Sequence, residues 1–357
     1  MKEPSKAPRI HDVARLAGVS VATVSRVFSN PSIVAERTRL AVEKAVEETG
    51  YTVNFMARNL RQQQVGAVLA LVPRLANPFF SVILAGISSV LRPEGLNLLV
   101  LDTRPDGGAD GAERTILPYL NRSRCDGVIV LDGGLDAGVF DRPGCPPVVQ
   151  ACEWIEGLGG SRVSADNAEG ARLAVEHLLA IGHRGILHLT GPAQNTLTQA
   201  RATGVAQALA SRPDATLRRM EGDFSLRSGH EAAGLIAALP HRPGAVFCDN
   251  DEMAIGLIQG LVQNGLSVPG DISVVGFDNI ESSAYALPPL TTVSQKRARL
   301  GHRAAELLLS EIRDGPSPVD EVLPVELIIR GSTAPSGEGN GDLSARSSSA
   351  MKQSPPG

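Results

Sequence analysis

The sequence predicts a small all-α domain followed by an α/β region of two subdomains, each with a doubly wound parallel sheet. Three observations support this fold class. The first is that apolar residues in residues 1–50 recur at helical spacing, and the second is that short apolar runs alternate with longer amphipathic stretches from Val65 onward. The third is that roughly 270 residues of this alternation are too many for one compact sheet. Continuous apolar runs are typical of strands buried on both faces of a parallel sheet.

Three short helices account for the first 50 residues. The first carries Ile10, Val13, Ala14 and Ala17 at helical spacing, the second follows Gly18 with Val24 and Val27, and the third contains Leu40 to Val46 and ends at Gly50. Ala14 and Gly18 suit a close helix crossing with a tight turn, and Val13, Ala17, Val19, Val24 and Val27 are the expected buried positions.

Six apolar runs are predicted to be buried strands of the α/β region. They are Val65 to Val72, Leu96 to Leu101, Gly127 to Leu131, Gly185 to Leu189, Ala245 to Phe247 and Ile272 to Gly276. After Thr333 the chain becomes rich in Gly, Ser and Pro, so residues 334–357 are predicted to be a disordered tail.

Charge is distributed unevenly along the 357 residues. Residues 1–61 contain ten basic and six acidic residues, a net of +4, which leaves -8 for the rest of a chain whose total is -4. A basic head on an acidic body favours a nucleic-acid-binding module joined to a domain with another task. The four cysteines show no CxxC spacing, and the sequence has neither a secretory h-region nor a membrane-spanning run, so we expect a soluble cytoplasmic protein.

Two helices joined by a glycine turn can present the second helix to the major groove of DNA. Ser20 is a good N-cap for that helix, and the residues near its outward face are Val21, Ala22, Ser25 and Arg26. Arginine is the commonest reader of guanine, and short apolar side chains can contact a thymine methyl group. The spacing alone also fits a small helical bundle in which Gly18 merely ends a helix.

The stretch IHDVARLAGVSVATVSR, from Ile10 to Arg26, resembles the head of the lac/gal repressor family of bacterial transcription factors, and the likeness continues to ETGYTVNFMARNLR, ending at Arg61. The resemblance implies that Ser20 and Thr23 hold phosphates, and that Val21, Ala22 and Arg26 face base edges. It also implies a hinge helix at residues 54–60. Asn54, Ala57 and Leu60 would contact DNA there, and Leu60 would act as a wedge in the minor groove.

Two residues depart from the family pattern. Val53 stands where many members have a proline that leads into the hinge helix. Ala35 stands where a serine commonly caps the third helix, which costs about 1 kcal/mol unless Asn30 or Ser32 compensates. Both departures bear on local stability more than on the DNA-reading face.

Polar residues that follow predicted strands are candidates for a ligand site, because ligands of open α/β sheets bind beyond the carboxyl ends of the strands. Asn77, Asp102, Asp249, Asn250 and Asp278 occupy such positions, and Arg201 lies in the helix after the strand that begins at Gly185. The acid pairs Glu47/Glu48 and Asp249/Asp251 are interpreted as solvated or cleft-lining groups.

The α/β region resembles the same family from Val65 to Thr333. The matching stretches are ANPFF at 76–80, CDGVIVL from Cys125, SADNAEGARLAVEHLLAIGHR from Ser164, DNDEMAIG from Asp249, ISVVGFDN from Ile272, PPLTTVSQ from Pro288 and IIRGST ending at Thr333. The resemblance implies a periplasmic-binding-protein-like core whose chain crosses three times between its subdomains. It implies an effector site of Asn77, Phe79, Phe80, Cys152, Arg201, Phe224, Asn250 and Asp278.

The expected domain limits follow from both patterns. They are a flexible start at 1–9, a helix-turn-helix domain at 10–53, a hinge and linker at 54–64, and a core at 65–333. The core divides into an N-subdomain of about 65–164 and 295–323 and a C-subdomain of about 165–294 and 324–333.

The residue types of the effector set suit a polyol, because Arg, Asn and Asp grip adjacent hydroxyls and an aromatic ring can cover a sugar face. A purine could use the same types. Cys152 stands where relatives often carry an aspartate that contacts the effector, and the single tryptophan, Trp154, is either a stacking or a packing residue.

No nucleotide-binding or catalytic motif supports an enzyme. The sequence has no GxxxxGK, GxGxxG or GxSxG pattern, and His177, His183 and His188 lack metal-ligand spacing, so no cofactor and no metal are expected. A solute receptor would share the cleft but not the DNA-reading head. We therefore expect a homodimeric, non-enzymatic repressor that binds a pseudo-palindromic double-stranded DNA operator and a small effector, which we expect to be a carbohydrate.

Overall fold

The computed structural model describes residues 8–29, 33–51, 64–104 and 111–337. The chain divides into two compact units, Met1–Gly66 and Ala67–Gly357. The predicted hinge helix at 54–60 lies outside the described residues.

The first unit contains three helices around a small apolar core. They are α1 (Ile10–Ala17), α2 (Val21–Ser29) and α3 (Glu36–Thr49). Val13, Val24 and Val42 are fully buried where the helices meet. Gly18 ends α1 with a φ of 66°, a left-handed conformation that favours glycine. Ala35 precedes α3 without a side-chain cap, which confirms the expected missing cap.

The second unit alternates strands with helices. Its elements are β1 (Ala67–Val72), α4 (Phe79–Leu91), β2 (Asn97–Asp102), α5 (Ala112–Ile116), β3 (Gly127–Val130), β4 (Val148–Ala151), β5 (Ser161–Ala165), α6 (Asn167–Ala180), β6 (Gly185–Thr190), α7 (Thr196–Ala210), β7 (Thr216–Glu221), α8 (Leu226–Ala237), β8 (Ala245–Cys248), α9 (Asp251–Gln263), β9 (Ser273–Asp278), α10 (Glu281–Tyr285), β10 (Thr291–Ser294), α11 (Arg297–Asp314), β11 (Asp320–Leu323) and β12 (Glu326–Ile328).

The strands form two six-stranded sheets, each the centre of one lobe. The order in the first lobe is β11-β5-β4-β3-β1-β2, and in the second lobe β12-β10-β9-β8-β6-β7. All neighbours pair in parallel except β12, which is antiparallel to β10. The chain therefore crosses between the lobes after β5, after β10 and after β11. This confirms the two parallel-sheet subdomains with three crossings.

Burial explains which strands were predictable. Every residue of β1, β3, β8 and β9 is buried, as continuous apolar runs indicate. The prediction is wrong for β2, which was expected to be buried on both faces. This strand lies at the sheet edge, and Leu99 and Val100 are exposed.

The helices of the second unit pack against one another in pairs, with a glycine at the crossing of each pair. α6 packs on α7, α8 on α9, and α4 on α11. Gly204, Gly229 and Gly301 lie at these crossings, where an added Cβ would overlap a backbone carbonyl of the partner helix. These contacts bring the helix backbones close together.

The prediction of a disordered tail at 334–357 is wrong for residues 334–337, which pack on the second lobe, and residues 338–357 lie outside the described ranges. The amide of Ala334 donates to Ser273 Oγ at 3.0 Å, and that of Ser336 donates to the Ile181 carbonyl at 2.9 Å. Among the described helices, none is long and apolar enough to cross a membrane.

Candidate functional site

The start of α2 carries a side-chain cap. The Thr23 amide donates to Ser20 Oγ at 3.1 Å, and the two hydroxyls lie 2.9 Å apart. Ser20 therefore caps the helix as predicted. The first turn of a helix leaves other amides free, and these attract anions such as DNA phosphates.

The predicted reading face of α2 is only partly free. Ala22 and Arg26 are exposed, whereas Thr23 and Ser25 are half-buried. Val21 packs against the apolar core of the head. Arg26 forms no ion pair with a described residue, so its guanidinium is available to a partner. Asn54, Ala57 and Leu60 lie outside the described residues, and their DNA contacts stay predictions.

A cavity lies between the two sheets, at the carboxyl ends of their strands. Its volume is about 210 Å3. Seven of the eight residues predicted for the effector site line it: Asn77, Phe79, Phe80, Arg201, Phe224, Asn250 and Asp278. The structure does not bring Cys152 to the wall; its side chain is buried in the first lobe's apolar core.

Arg201 is the buried cation of the cavity and is 1% exposed. Its Nε donates to Asn167 Oδ1 at 3.0 Å, its Nη1 donates to the Asp249 carbonyl, and its carbon Cζ lies 3.9 Å from the centre of the Phe277 ring. Nη2 lies 3.9 Å from Asp278 Oδ1. The guanidinium is thus fixed in place, with one edge directed at Asp278.

Asp278 ends β9 in a left-handed conformation with a φ of 112°, which is uncommon for a residue with a side chain. Its Oδ1 accepts from Gln295 Nε2 at 2.7 Å. Burial raises the pKa of this carboxyl to about 7, although Arg201 and Arg297 oppose the shift. Strained backbone at a buried polar residue is typical of ligand sites.

Asn250 acts on the cavity through its neighbours. Its Oδ1 caps α9 by accepting from the Met253 amide at 3.0 Å, and its Nδ2 donates to the Phe224 carbonyl at 2.9 Å. Phe224 has a φ of 65°, and its ring presses on Gly191, where an added Cβ would overlap it. Asn250 therefore holds an aromatic wall of the cavity in position.

Glu153 is a cavity residue that the sequence reasoning missed. Its Oε2 accepts from the Gly133 amide at 3.0 Å and from Asn195 Nδ2 at 3.2 Å. Burial, with the nearby Asp132 carboxylate, raises its pKa to about 7. The family pattern pointed to position 152, but a left-handed turn at Cys152, with a φ of 60°, brings the next side chain to the cavity.

Arg104 and Asp132 form a closed pair beside Glu153. Arg104 Nη2 lies 2.7 Å from Asp132 Oδ1, and its Nε lies 3.0 Å from Oδ2. Thr103 Oγ1 also donates to Asp132 Oδ2, at 2.6 Å. Trp154, in contrast, lines a separate recess, with the Arg162 guanidinium 4.9 Å above its ring.

The interpretation of Asp249 and Asp251 as solvated or cleft-lining groups is wrong. Both are fully buried. Asp249 accepts from His188 Nε2 at 2.7 Å and from the Gly191 amide at 2.8 Å, while Asp251 accepts from Thr292 Oγ1 at 2.6 Å. Their positions after β8 made them look like ligand groups, but partners distant in sequence bind them inside the lobe.

The raised pKa of Glu153 predicts a pH-dependent stability. The folded state keeps a proton that the unfolded carboxyl loses near 4.5, so this stabilisation is complete below 4.5 and lost as pH rises through about 7. Between about pH 4.5 and pH 8, wild type should lose about 3 kcal/mol of unfolding free energy relative to Glu153→Gln. Urea denaturation at both pH values measures this, and a pH-independent difference would contradict it.

Comparison with known proteins defines the class of this protein. Residues 9–54 match the model of bacterial regulatory proteins of the lacI family, and residues 175–333 match a periplasmic binding protein-like domain. A helical DNA-binding head is thus joined to a two-lobed ligand-binding core.

Individual relatives identify the family. The chain is 36% identical over 340 residues to the transcriptional repressor CytR of Escherichia coli K12, covering 93% of this chain and 98% of that protein. It is 38% identical over 310 residues to the repressor PurR of Vibrio campbellii, covering 85% of this chain and 92% of that protein. A lac repressor dimer bound to operator and the anti-inducer ONPF superposes with a TM-score of 0.77 at 31% identity, covering 92% of this chain and 100% of that one.

The chain belongs to the LacI family of bacterial transcriptional regulators. It is a DNA-binding transcriptional repressor with a ligand-binding core, and its relatives are repressors rather than enzymes. Within the described ranges, no three His, Cys, Asp or Glu side chains are grouped as a metal site.

Proposed function

We propose that this repressor responds to a sugar or sugar derivative bound in the cavity between its lobes. The observation that carries the proposal is the lining, which combines planar polar groups of Arg201 and Asp278 with aromatic rings of Phe79 and Phe224. Such a wall can grip adjacent hydroxyls while covering the flat face of a sugar ring. A relative, CelR, was solved as a cellobiose complex at 30% identity and a TM-score of 0.68, which supports a carbohydrate.

A purine or another flat metabolite is the second candidate. Phe79 and Phe80 meet edge to face, with ring centres 5.1 Å apart, and Phe224 supplies a further ring. The likeness to repressors named PurR favours the same candidate. A screen that includes both chemistries separates the two.

We assign DNA contact to residues 10–53 and a hinge to 54–64, and effector binding to 65–333 of a homodimer. Two heads would read half-sites of a pseudo-palindromic operator, about one helical turn apart. An effector that prefers one arrangement of the lobes would change the separation of the two hinges. A coupling of about 1–3 kcal/mol is sufficient for such regulation.

A thermal-shift screen against sugars, sugar phosphates and nucleobases tests the effector proposal. A ligand that binds the native state raises the melting temperature by mass action. The compound that raises it should also change operator affinity, measured by fluorescence anisotropy. A ligand that binds tightly without changing operator affinity would contradict regulation through this cavity.

Arg26→Ala is expected to relax operator preference at one position of each half-site. Losing a bidentate contact to a base costs about 1–3 kcal/mol of discrimination. Selection of binding sites from random DNA, followed by affinity measurement, would reveal the change.

Arg15→Ala is the matched control, because it removes the same charge from the head. Arg15 is exposed on α1 and pairs with Asp12 at 2.9 Å. It should lower affinity for all DNA sequences slightly and leave the selected motif unchanged. An unchanged motif and affinity in Arg26→Ala would refute the assigned reading face.

A further inference from the structure

The effector cavity carries an acid one position away from where the family pattern places it. β4 ends at Ala151, the Cys152 amide donates to the Val163 carbonyl at 2.9 Å, and the Glu153 amide donates to the Ala151 carbonyl at 2.8 Å. Because Cys152 takes the left-handed conformation, its thiol enters the core and the next side chain reaches the cavity. The backbone conformation at Cys152 thus places the acid at 153 in the cavity.

The two oxygens of Glu153 differ in their surroundings. Both of its hydrogen bonds, from Gly133 and Asn195, end on Oε2. Oε1 accepts no hydrogen bond from a described residue, and it is not sealed off from solvent. Gly133 packs so closely that a Cβ there would lie 3.1 Å from the Glu153 Cβ. The carboxylate is therefore held firmly, with one acceptor left for a ligand.

Asp278 repeats this arrangement on the other lobe. Its partners, Gln295 Nε2 and the more distant Arg201 Nη2, both approach Oδ1. No described residue donates to Oδ2. Each lobe thus contributes one buried carboxylate with a free acceptor, and both carboxyls have a pKa raised to about 7, mainly by burial.

The cations of the cavity are already occupied. Arg104 is bound by both oxygens of Asp132, and Arg74 Nη2 lies 3.4 Å from Glu252 Oε2. Arg201 donates to Asn167 and to the Asp249 carbonyl. Four acids and three arginines line the cavity, so its charge is -1 when all are ionised. A phosphate or carboxylate would meet two carboxylates with free oxygens and arginines that already donate to acceptors of the protein.

We propose that Glu153 is a specificity-determining residue of the effector cavity, and that the effector is an uncharged molecule that donates hydrogen bonds from hydroxyl or amino groups. This inference rests on the proposed function of the cavity. Glu153 Oε1 and Asp278 Oδ2 accept from donors at opposite ends of the ligand. The bridge from Glu153 to Asn195, which caps α7 in the second lobe, links this contact to the closure of the lobes.

Matched pairs of probes test the ligand class. We would compare ribose with ribose 5-phosphate, glucose with glucose 6-phosphate, and adenosine with adenosine 5′-monophosphate, by thermal shift and by titration calorimetry of the full-length protein at pH 8, where both carboxyls are ionised. The expected result is that the phosphorylated partner of a neutral probe binds at least about 100-fold more weakly, because the free oxygens of Glu153 and Asp278 repel its negative charge. Tighter binding of a phosphorylated member, or no binding by any neutral probe, would overturn the inference.

Glu153→Gln tests the residue itself. The variant amide keeps the shape, but with its oxygen held by Gly133 and Asn195 it presents an N–H donor where wild type has an acceptor. The neutral ligand should bind at least about tenfold more weakly, because a charge-assisted hydrogen bond is lost. The ratio between the affinities of the neutral and the phosphorylated probe should fall. Glu156→Gln is the matched control, because it removes the same charge at an exposed residue. Glu156 lines the separate recess beside Trp154, not the effector cavity.

The readouts separate the two levels of proposal. Unchanged affinity and unchanged discrimination in Glu153→Gln, with effector-dependent operator binding intact, would overturn the inference and leave the proposed function in place. A neutral ligand that binds as expected but never changes operator affinity would instead refute the proposed function.

Discussion

Arg201→Leu is expected to abolish the effector response and to lower the free energy of unfolding by about 3–5 kcal/mol, the cost of leaving a buried charge without its partner. Asp278 would lose its nearest cation, and Asn167 Oδ1 and the Asp249 carbonyl would lose their donor. Urea denaturation measures the stability, and calorimetry with the ligand found in the screen measures the binding.

Arg212→Leu is the control for this prediction. Arg212 lies on the surface, 3.5 Å from Asp214, so its loss should change stability by less than about 0.5 kcal/mol. Adding Asp278→Asn to Arg201→Leu should recover part of the stability, because the unpaired carboxylate is then gone, but not the effector binding. A single variant within about 1 kcal/mol of wild type would show that the buried pair matters little.

The sequence predicted the strands whose chemistry is uniform along their length. β1 and β9 are runs of buried apolar residues, and such runs indicate strands without further information. β7 was missed because it reads TLRRME: it is an edge strand, and Arg218 and Arg219 are exposed. Charged edge strands prevent pairing between molecules, and the same charges conceal them from a search for apolar runs.

The site residues were predicted from polar residues that directly follow a strand, and this criterion also selects residues that do not line the cavity. It included Asn250 and Asp278, which line the cavity, but also Asp249, which binds His188 from a strand 61 residues earlier. It omitted Glu153, because only the φ of Cys152 decides which of two adjacent side chains enters the cavity. Long-range pairing and backbone handedness leave no short-range signal in a single sequence.

The two lobes are joined by polar contacts around the cavity. Asn195 Nδ2 contacts Glu153, Thr196 Oγ1 lies 3.4 Å from the Trp154 carbonyl, and Arg74 reaches Glu252 from the other lobe. Contacts of this kind are weak singly, so the free energy of a bound ligand is enough to change the balance between lobe arrangements.

Gly229→Ala is expected to lower the free energy of unfolding by about 1–3 kcal/mol, although alanine is the better helix former by about 1 kcal/mol. Gly229 lies in α8 where it crosses α9, and an added Cβ would overlap the Met253 carbonyl, which is backbone and cannot move without displacing α9. Overpacking at such a crossing costs about 1–3 kcal/mol or more. Because α9 begins beside Asn250, the displacement should also weaken effector binding.

Gly234→Ala, in the same helix, is the matched control. Gly234 has no atom within 4 Å of an added Cβ, so the substitution should stabilise the protein by up to about 1 kcal/mol. The two variants therefore should shift the urea midpoint in opposite directions while the slope stays constant. Equal shifts would mean that helix propensity, rather than close backbone packing, governs this pair of helices, and that the effector site is not sensitive to their spacing.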